Sequence, residues 1–362
     1  MLLRNNIKYP LVSVLIYNYN YGQFLRECFD SVLHQSYPNI EILFSDNAST
    51  DDSWEIAVEY NKKFPGKFFL AQNRENYGTD ANLLNCWINR RGRYHINLCS
   101  DDTLKPKCVE KAVTMFLKYP EVGFVLFHRD IMDTSGRLSQ EPPFYSLDCI
   151  IYPPAQCQTY MMAAVNPSNS QVMYRSELVK NVSVNIGPAA KYYTARIVDF
   201  RIALSHPVGY IKQPLLNHRI HDANQNLVAT QDLQEILGFY QCALQFAFEA
   251  KEKGYSELED QLPEVRAKVA ELGLRYSKRE YMKGNYSIAL QYYHLAKAFQ
   301  ISTESFEMTA LPAKSTERNT LRDLKKIFAS KTIQDHRKIS YEPRDPYVAL
   351  ETNWNHVDEN AP

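Results

Sequence analysis

The sequence predicts an α/β fold with a largely parallel central sheet, and two observations lead to that prediction. Between residues 12 and 130, short apolar and β-branched runs alternate with segments whose apolar residues repeat at helical spacing. Such alternation is typical of βαβ units, in which helices cover both faces of a parallel sheet. Polar and acidic residues follow the ends of several runs, which is where ligands bind to sheets of this kind.

Five strands and four helices are predicted in this region. The strands are expected at 12–17, 40–44, 68–71, 94–98 and 122–127. The helices between them are expected at 22–35, from the polar cluster 49–52 to about 64, at 80–89, and from Pro106 to about 117. Together these elements predict that the residues just after the strands, at 17–21, 46–50, 73–78 and 100–102, line one edge of the sheet.

The rest of the chain changes character twice. Residues 131–230 are irregular and predict mixed strands and loops, whereas 232–299 carry apolar residues at helical spacing. Residues 281–299 resemble one hairpin of a tetratricopeptide repeat, but no second copy follows at that period. We therefore divide the chain into 1–230, a helical accessory module at 231–312, and a third part, 313–362, which holds a basic helix and a loose tail at 342–362.

Composition excludes several classes of protein. The 362 residues include 41 Lys+Arg and 41 Asp+Glu, so the basic excess typical of a nucleic-acid binder is missing and we expect no nucleic-acid partner. No apolar run approaches the roughly 20 residues of a membrane span, and we expect no secretory signal. The seven cysteines are scattered without a Cys-x-x-Cys pair, which favours free thiols and a cytoplasmic location.

Common nucleotide and hydrolase motifs are missing, and the candidate chemistry lies with carboxylates. The twelve glycines form neither G-x-G-x-x-G nor a P-loop, and neither G-x-S-x-G nor H-E-x-x-H occurs. Asp46 follows one predicted strand, and Asp101 and Asp102 follow another. Such oxygen ligands suit Mg²⁺ or Mn²⁺ shared with substrate phosphates. Residue types alone leave a second interpretation open for them, as helix caps or turn formers, and we favour it for Asp51 and Asp52.

A longer pattern gives these residues a context. The segments 10–20 (PLVSVLIYNYN), 25–43 and 45–52 (SDNASTDD) resemble, in spacing and residue type, the opening of family 2 inverting glycosyltransferases of the GT-A fold. Ser100-Asp101-Asp102 stands where that family has its DxD metal motif. The resemblance covers about 9–130 and, more loosely, 165–226, but not the helical C-terminal third. It implies that residues 1–230 form a GT-A catalytic domain with a mixed sheet.

The resemblance implies a set of contacts with a nucleotide sugar. Tyr17 and Tyr19 lie on the loop that lines the base pocket in the family, and Asp46 matches the acid that accepts a hydrogen bond from the base. Asn76, in the polar segment after the third strand, and Asp101 are also expected to bind the donor. The implied donor is a sugar linked to the diphosphate of uridine or of another pyrimidine nucleoside.

The resemblance also implies a metal site with one departure from the family. Asp101 and Asp102 match its metal and diphosphate acids, but Cys99 replaces the first acid of the DxD motif, and a neutral thiol is a poor Mg²⁺ ligand. The segment 217–221 resembles a Y-R-x-H motif. From it we expect His221 to ligate the metal or touch the diphosphate, or else to be structural, and Arg219 to neutralise phosphate charge.

The implied catalytic base is Asp199. Residues 197–204 resemble the family's helix that begins with Glu-Asp, although Val198 replaces the glutamate. An inverting transfer needs one carboxylate to take the proton of the acceptor hydroxyl. The alternative for Asp199 is a surface ion pair. Residues 166–175 correspond to a strand near the acceptor, and their polar side chains either meet sugar hydroxyls or form a loop.

A basic segment bears on location. Residues 314–338 carry eight Lys/Arg against three acids, with an apolar stripe of Leu321, Leu324, Ile327 and Phe328. This pattern fits either a helix lying on an anionic membrane or one that docks on the catalytic domain, and we favour docking.

These observations predict a Mg²⁺- or Mn²⁺-dependent inverting glycosyltransferase. The expected donor is UDP- or dTDP-linked, and the expected acceptor is a hydroxyl of a glycan or lipid-linked glycan in surface polysaccharide synthesis. Two alternatives stay open. Cys99 and Val198 favour an inactive GT-A scaffold. A nucleotidylyltransferase would need a basic, glycine-rich loop after the first strand, which residues 17–22 do not provide.

Overall fold

Strands and helices alternate through the first 130 residues of the computed structural model, which describes residues 9–162, 167–182, 193–221, 233–299, 324–325, 328 and 340–351. The strands are β1 Val12–Asn18, β2 Ile40–Asp46, β3 Phe68–Gln72, β4 Tyr94–Cys99, β5 Thr103–Leu104 and β6 Phe124–Met132. The helices are α1 Gly22–Leu33, α2 Ser53–Lys63, α3 Thr79–Asn89 and α4 Cys108–Lys118. The predicted alternation is confirmed, and β1, β2 and β4 extend into the polar residues that follow each apolar run.

The remainder mixes short strands with helices, as the irregular pattern predicts. These elements are β7 Leu138–Gln140, β8 Cys149–Ile151, α5 Ala155–Met162, β9 Val172–Arg175, α6 Ser176–Val182, α7 Thr194–Ala203 and β10 Val208–Arg219. The helical C-terminal region follows as α8 Gln234–Glu252, α9 Leu262–Met282 and α10 Tyr286–Phe299, and β11 Tyr347–Ala349 comes last.

The sheet is mixed rather than parallel throughout. Its strand order is β11-β8-β10-β6-β9-β4-β1-β2-β3. The strands β1 to β4 pair in parallel, and β10 pairs in parallel with β6. Between these two parallel groups, β9 runs antiparallel to both β4 and β6. The register sets Tyr17 opposite Cys99 and Asn18 opposite Asp46, so the carboxyl ends of β1, β2 and β4 meet at one edge.

Apolar residues on the two faces of the sheet belong to separate core clusters. Because side chains alternate along a strand, Val14 and Ile16 join one cluster while Leu15 joins the other. The first cluster packs the sheet against α1, α2 and α4. The second contains α3, α5 and α7, and it also takes in Phe246 of α8 and Val269 of α9. The helical C-terminal region therefore shares a core with the sheet.

Two contacts fasten α8 to α7, the helix that carries Asp199. The rings of Phe200 and Phe246 stack at 3.9 Å between centroids and 5° between planes. Arg201, the next residue of α7, donates to both carboxylate oxygens of Glu249, about one turn after Phe246 on α8, at 2.9 and 2.8 Å. We infer that α8 helps to hold α7 in place.

Phe246→Ala is expected to lower the free energy of unfolding by about 3–5 kcal/mol, because it empties a buried aromatic site. Phe248→Ala on the same helix is the matched control. Its side chain is 63% exposed, so its effect should stay within about 0.5 kcal/mol. Urea unfolding of both variants measures the difference, and equal effects would show that the stacked pair does not stabilise this junction.

The segment predicted as a loose tail, 342–362, is ordered in part, and that prediction is wrong for residues 342–351. Tyr347–Ala349 pairs antiparallel with β8, and the Tyr341 amide donates to the Phe144 carbonyl at 2.7 Å. The physical reason is that β8 is buried and would otherwise leave an open sheet edge, which β11 covers. Residues 352–362 lie outside the described part of the chain.

Two members of the predicted apolar stripe are buried against the helical region. Leu324 is 0% exposed and Phe328 is 8% exposed, and both belong to a cluster with Leu274 and Tyr293 of α9 and α10. For these two side chains the contact agrees with docking, although on the helical region and not on residues 1–230. Leu321 and Ile327 lie outside the described residues. The described helices lack any stretch of the length and hydropathy that a bilayer crossing requires.

Candidate functional site

Asp46, at the end of β2, is a fully buried carboxylate surrounded by donors. Its Oδ1 accepts hydrogen bonds from Asn18 Nδ2 at 3.0 Å and Ser49 Oγ at 2.6 Å. Its Oδ2 accepts from the Ser49 amide at 3.0 Å and from Gln72 Nε2 at 3.3 Å. Gln72 is exposed and makes the longest of these bonds. Contact between Asp46 and a nucleobase therefore requires that the Gln72 amide swing away.

A network of asparagine amides fixes the loop after β3. Asn76 Oδ1 accepts from Asn47 Nδ2 at 2.6 Å and from the Gly78 amide at 2.9 Å. Asn47 Oδ1 accepts in turn from Asn73 Nδ2 at 2.8 Å. Buried Asn82 of α3 joins the network through Asn73 and through the carbonyls of β1 and β2. Asn76 is thus exposed beside the strand ends with its carbonyl oxygen committed to the loop.

The loop after β4 brings a thiol and two carboxylates together. The Asp102 amide donates to the Cys99 carbonyl at 3.0 Å, which closes a tight turn. Ligand atoms of Cys99, Asp101 and Asp102 all lie within 4.8 Å of one another, and among the described residues this is the one such group. Asp102 is fully buried, and its Oδ2 has no hydrogen-bond partner in the described structure. A buried carboxylate oxygen in this position is suited to a cation.

Two histidines of the β10 end hold the carboxylates. His218 Nδ1 lies 3.0 Å from Asp102 Oδ1, which also accepts from the Arg219 amide at 2.9 Å. His221 Nε2 lies 3.1 Å from Asp101 Oδ2. Burial raises the pKa of the Asp101 carboxyl, whereas the His218 charge and the hydrogen bonds outweigh burial and lower the pKa of Asp102. The sequence interpretation missed His218, whose only signal is its place beside Arg219.

Arg219 is buried and does not fit the predicted role in phosphate binding. Its side chain is 3% exposed. The guanidinium donates to the Asp101 carbonyl at 2.9 Å, pairs with Glu27 of α1, and lies 4.8 Å from the Phe24 ring. Since these groups occupy the guanidinium, Arg219 is placed to hold residues 99–102, which we call the acidic loop.

His221 lies next to Asp101, but its ring nitrogens are not among the ligand atoms that lie within 4.8 Å of one another, which belong to Cys99, Asp101 and Asp102. Its ring packs 5.1 Å from Tyr21 and 4.9 Å from Phe24, and it has a polar contact with Asp101. This geometry suits orientation of the Asp101 carboxylate.

Asp199 is a buried carboxylate of α7 and not a surface ion-pair partner. It is 3% exposed, and the Tyr174 hydroxyl donates to its Oδ1 at 2.7 Å. Burial raises the pKa of Asp199 to about 6, against the lowering effects of Tyr174 and Arg196. A pocket of about 50 Å³ lies beside it, with Ser168 and Asn169 among the lining residues. Part of the segment predicted to face an acceptor thus lies at this carboxylate.

One chain of contacts joins the Asp199 pocket to the acidic loop. Asn169, which lines the pocket, donates to the Tyr17 hydroxyl at 3.1 Å. That hydroxyl lies 3.1 Å from Cys99 Sγ, the sulfur of the acidic loop. Tyr17 is therefore part of the wall between the two carboxylate sites, while Tyr19, on the same strand end, is 41% exposed. Asn169 and Tyr174 belong to the segment 166–175, whose polar side chains are expected either to meet sugar hydroxyls or to form a loop.

The N-terminal half of the chain is similar in sequence to a known family. Residues 13–180 match the profile described as glycosyl transferase family 2. An uncharacterized glycosyltransferase of Nostoc sp. is 27% identical over 234 residues, or 62% of this chain and 69% of that protein. The putative glycosyltransferase EpsE of Bacillus subtilis is 36% identical over 30% of this chain and 40% of its own length. The chondroitin synthase of Escherichia coli is 32% identical over 36% of this chain and 18% of its own length.

Solved structures share the fold. The crystal structure of S. aureus TarS residues 1–349 in complex with UDP superposes with a TM-score of 0.53 at 13% identity, covering 82% of this chain and 93% of that one. The same TarS fragment in complex with UDP-GlcNAc gives a TM-score of 0.53 at 14% identity, covering 80% and 90%. At such identities the likeness concerns the fold.

Proposed function

We propose that this chain, which has the GT-A fold and matches glycosyl transferase family 2 over residues 13–180, is a metal-dependent inverting glycosyltransferase of that family. It moves a sugar from a nucleoside diphosphate to a hydroxyl group of a glycan or lipid-linked glycan. The observation that carries this proposal is the buried Asp199 carboxylate, which faces a pocket that the Asn169–Tyr17–Cys99 contacts join to the acidic loop.

Asp199 is the proposed general base. The acceptor oxygen attacks the anomeric carbon while the bond from that carbon to the diphosphate oxygen breaks. The acceptor proton passes to Asp199, and the bonding electron pair leaves with the nucleoside diphosphate. A pKa of about 6 leaves the carboxylate ionised near neutral pH yet more basic than an ordinary aspartate, which suits this role.

Asp101 and Asp102 are the proposed ligands of a divalent cation, Mg²⁺ or Mn²⁺. The unpartnered Asp102 Oδ2 and its neighbouring Asp101 carboxylate offer oxygen ligands in a buried turn, which fits such an ion. A bound cation would neutralise the charge that develops on the departing diphosphate. His221, His218 and Arg219 orient the two carboxylates, and in this proposal Arg219 does not touch phosphate.

The nucleotide is proposed to bind across the ends of β1, β2 and β3. Exposed Tyr19 offers a ring for stacking on the base, and Asp46 accepts a base N–H when Gln72 moves off its Oδ2. Asn76 borders the same edge on its ordered loop. Asp101 then lies toward the diphosphate. A carboxylate acceptor suits the imide N–H of uracil or thymine, which supports a UDP- or dTDP-linked donor.

The relatives support a glycan acceptor, since one of them is named chondroitin synthase. Surface polysaccharide synthesis is therefore the proposed setting. We propose residues 1–230 as the catalytic domain, 231–312 as an accessory module and 313–362 as its C-terminal extension. The seven free cysteines suit a reducing cytoplasm, where we place the reaction. Because Leu324 and Phe328 are buried against the helical region, any peripheral contact with a membrane would be made by other residues.

One observation favours a second candidate, a GT-A domain that binds nucleotide without transferring sugar. Cys99 stands in place of the first acid of the family's metal motif. This candidate differs from the enzyme in its chemistry and not in its fold, so turnover separates the two.

Donor binding tests the proposed function. In a thermal-unfolding panel with Mn²⁺, UDP or dTDP at 100 times its dissociation constant is expected to stabilise the protein by about 2.7 kcal/mol over the ligand-free form, and GDP at the same concentration is expected to stabilise it less. Release of UDP from a set of UDP-sugars then measures turnover. Stabilisation without turnover on any donor would favour the binding domain, and no stabilisation by any nucleoside diphosphate would reject both candidates.

A further inference from the structure

We propose that the Cys99 thiol is a ligand of the cation site together with Asp101 and Asp102. The site would then prefer softer divalent ions such as Cd²⁺ and Co²⁺, and to a smaller extent Mn²⁺, over Mg²⁺. This inference rests on the proposed metal-dependent function and concerns which ion the site selects.

The turn after β4 places the three ligands around one point. The bond from the Asp102 amide to the Cys99 carbonyl, at 3.0 Å, folds the backbone so that residues 99 and 102 approach each other. Cys99 Sγ and the two carboxylates then lie within 4.8 Å of one another, a spacing that small side-chain rotations close around an ion. The fully buried Asp102 Oδ2, without a hydrogen-bond partner, is the independent sign that a ligand belongs here.

The hydrogen bond with Tyr17 leaves the sulfur able to act as an electron-pair donor. Because Asn169 Nδ2 donates to the Tyr17 hydroxyl oxygen, the hydroxyl hydrogen is free to point toward Cys99 Sγ, 3.1 Å away. The Cys99 amide donates to Ser170 Oγ at 3.0 Å, which fixes the backbone at the sulfur. A sulfur that accepts a hydrogen bond from Tyr17 can bind an ion on its other side. On binding, the ion replaces the thiol hydrogen, and that proton leaves to the solvent.

The softness of a thiolate ligand determines which ions the site would prefer. Mg²⁺ takes oxygen ligands in octahedral geometry, whereas thiolate ligands select softer ions. A thiolate between two carboxylates thus raises affinity along the series from Mg²⁺ to Mn²⁺, Co²⁺ and Cd²⁺. Replacing the acid of the family motif by cysteine would then change the ion preference without removing the site.

The test is metal binding to the full-length protein, with Mg²⁺, Mn²⁺ and Cd²⁺ chlorides as the probes. Near-ultraviolet absorption reports a cadmium–thiolate bond, and calorimetry gives the affinities. The wild type is expected to show one equivalent of the cadmium–thiolate band, and Cys99→Ser is expected to lose it. Cys99→Asp is expected to lower the preference for Cd²⁺ over Mg²⁺ at least tenfold. Cys242→Ala, at a buried thiol of α8, should change neither result.

Each outcome separates this inference from the proposed function. Ions that bind with the same selectivity in wild type and Cys99→Asp, or a band that persists in Cys99→Ser, would overturn the role of Cys99 and leave the metal-dependent enzyme standing. If the wild type binds none of the ions, with or without UDP, then both the inference and the metal-dependent function are overturned. Circular dichroism of each variant shows that it is folded.

Discussion

Asp199→Asn is expected to lower kcat by about 10²–10⁴, the usual contribution of a general base, while UDP binding stays unchanged. The amide keeps the shape of the carboxylate, and its oxygen can still accept a hydrogen bond from the Tyr174 hydroxyl. The amide cannot, however, take a proton from the acceptor. Initial rates at saturating donor and acceptor, together with calorimetric UDP binding, measure the two effects. A variant that retains wild-type kcat would show that Asp199 is not the base.

The pH profile gives an independent check on this carboxylate. Because the base must be ionised and burial raises the pKa of Asp199 to about 6, kcat/KM is expected to fall about tenfold per pH unit below that value. Tyr174→Phe removes a hydrogen bond that favours the ionised form, so its acidic limb should move to higher pH.

The raised pKa of Asp199 also makes the stability of the protein depend on pH. The folded-state pKa of Asp199, about 6, lies above the value of about 3.9 for an unfolded chain, so the folded protein holds the proton more tightly. As the pH rises from below 4 to above 6, this group alone should lower the free energy of unfolding by about 3 kcal/mol. Asp199→Asn is therefore expected to be at least as stable as wild type at pH 8. A loss of several kcal/mol there would contradict this account.

Asp101→Asn is expected to lower kcat/KM by about 10²–10³ and to abolish the Mn²⁺ dependence of UDP binding. The reason is that cation stabilisation of the leaving diphosphate contributes several kcal/mol, and the amide is a weaker ligand than the carboxylate. Calorimetric titration of UDP with and without Mn²⁺ measures the coupling, and initial rates measure the loss.

Glu59→Gln is the matched control for Asp101→Asn. It removes the negative charge of Glu59 on α2 from an exposed ion pair with Arg26 on α1, and it should leave both rate and coupling unchanged. If Asp101→Asn binds UDP with the same dependence on Mn²⁺ as wild type, the acidic loop is not the cation site.

The local pattern of the chain was sufficient for the four helices and five of the six strands up to residue 130, but it did not predict the two-residue strand β5. Apolar periodicity is a property of neighbouring residues, so it located β1, β2 and β4 and the acids that follow them. It could not locate β9 between β4 and β6, because that position depends on pairing with strands far away in the sequence. For the same reason β11 was interpreted as a loose tail, although β8 pairs with it.

The same distinction between local pattern and distant contacts applies to the residues of the candidate site. The sequence by itself determined which acids follow the strands, and its family resemblance singled out Asp199. Tertiary structure alone decided what surrounds each one. Gln72 covers Asp46, Arg219 reaches Glu27 across the fold, and Tyr174 holds Asp199. Residue type and spacing are local, whereas burial, charge environment and hydrogen-bond partners arise only when distant segments pack together.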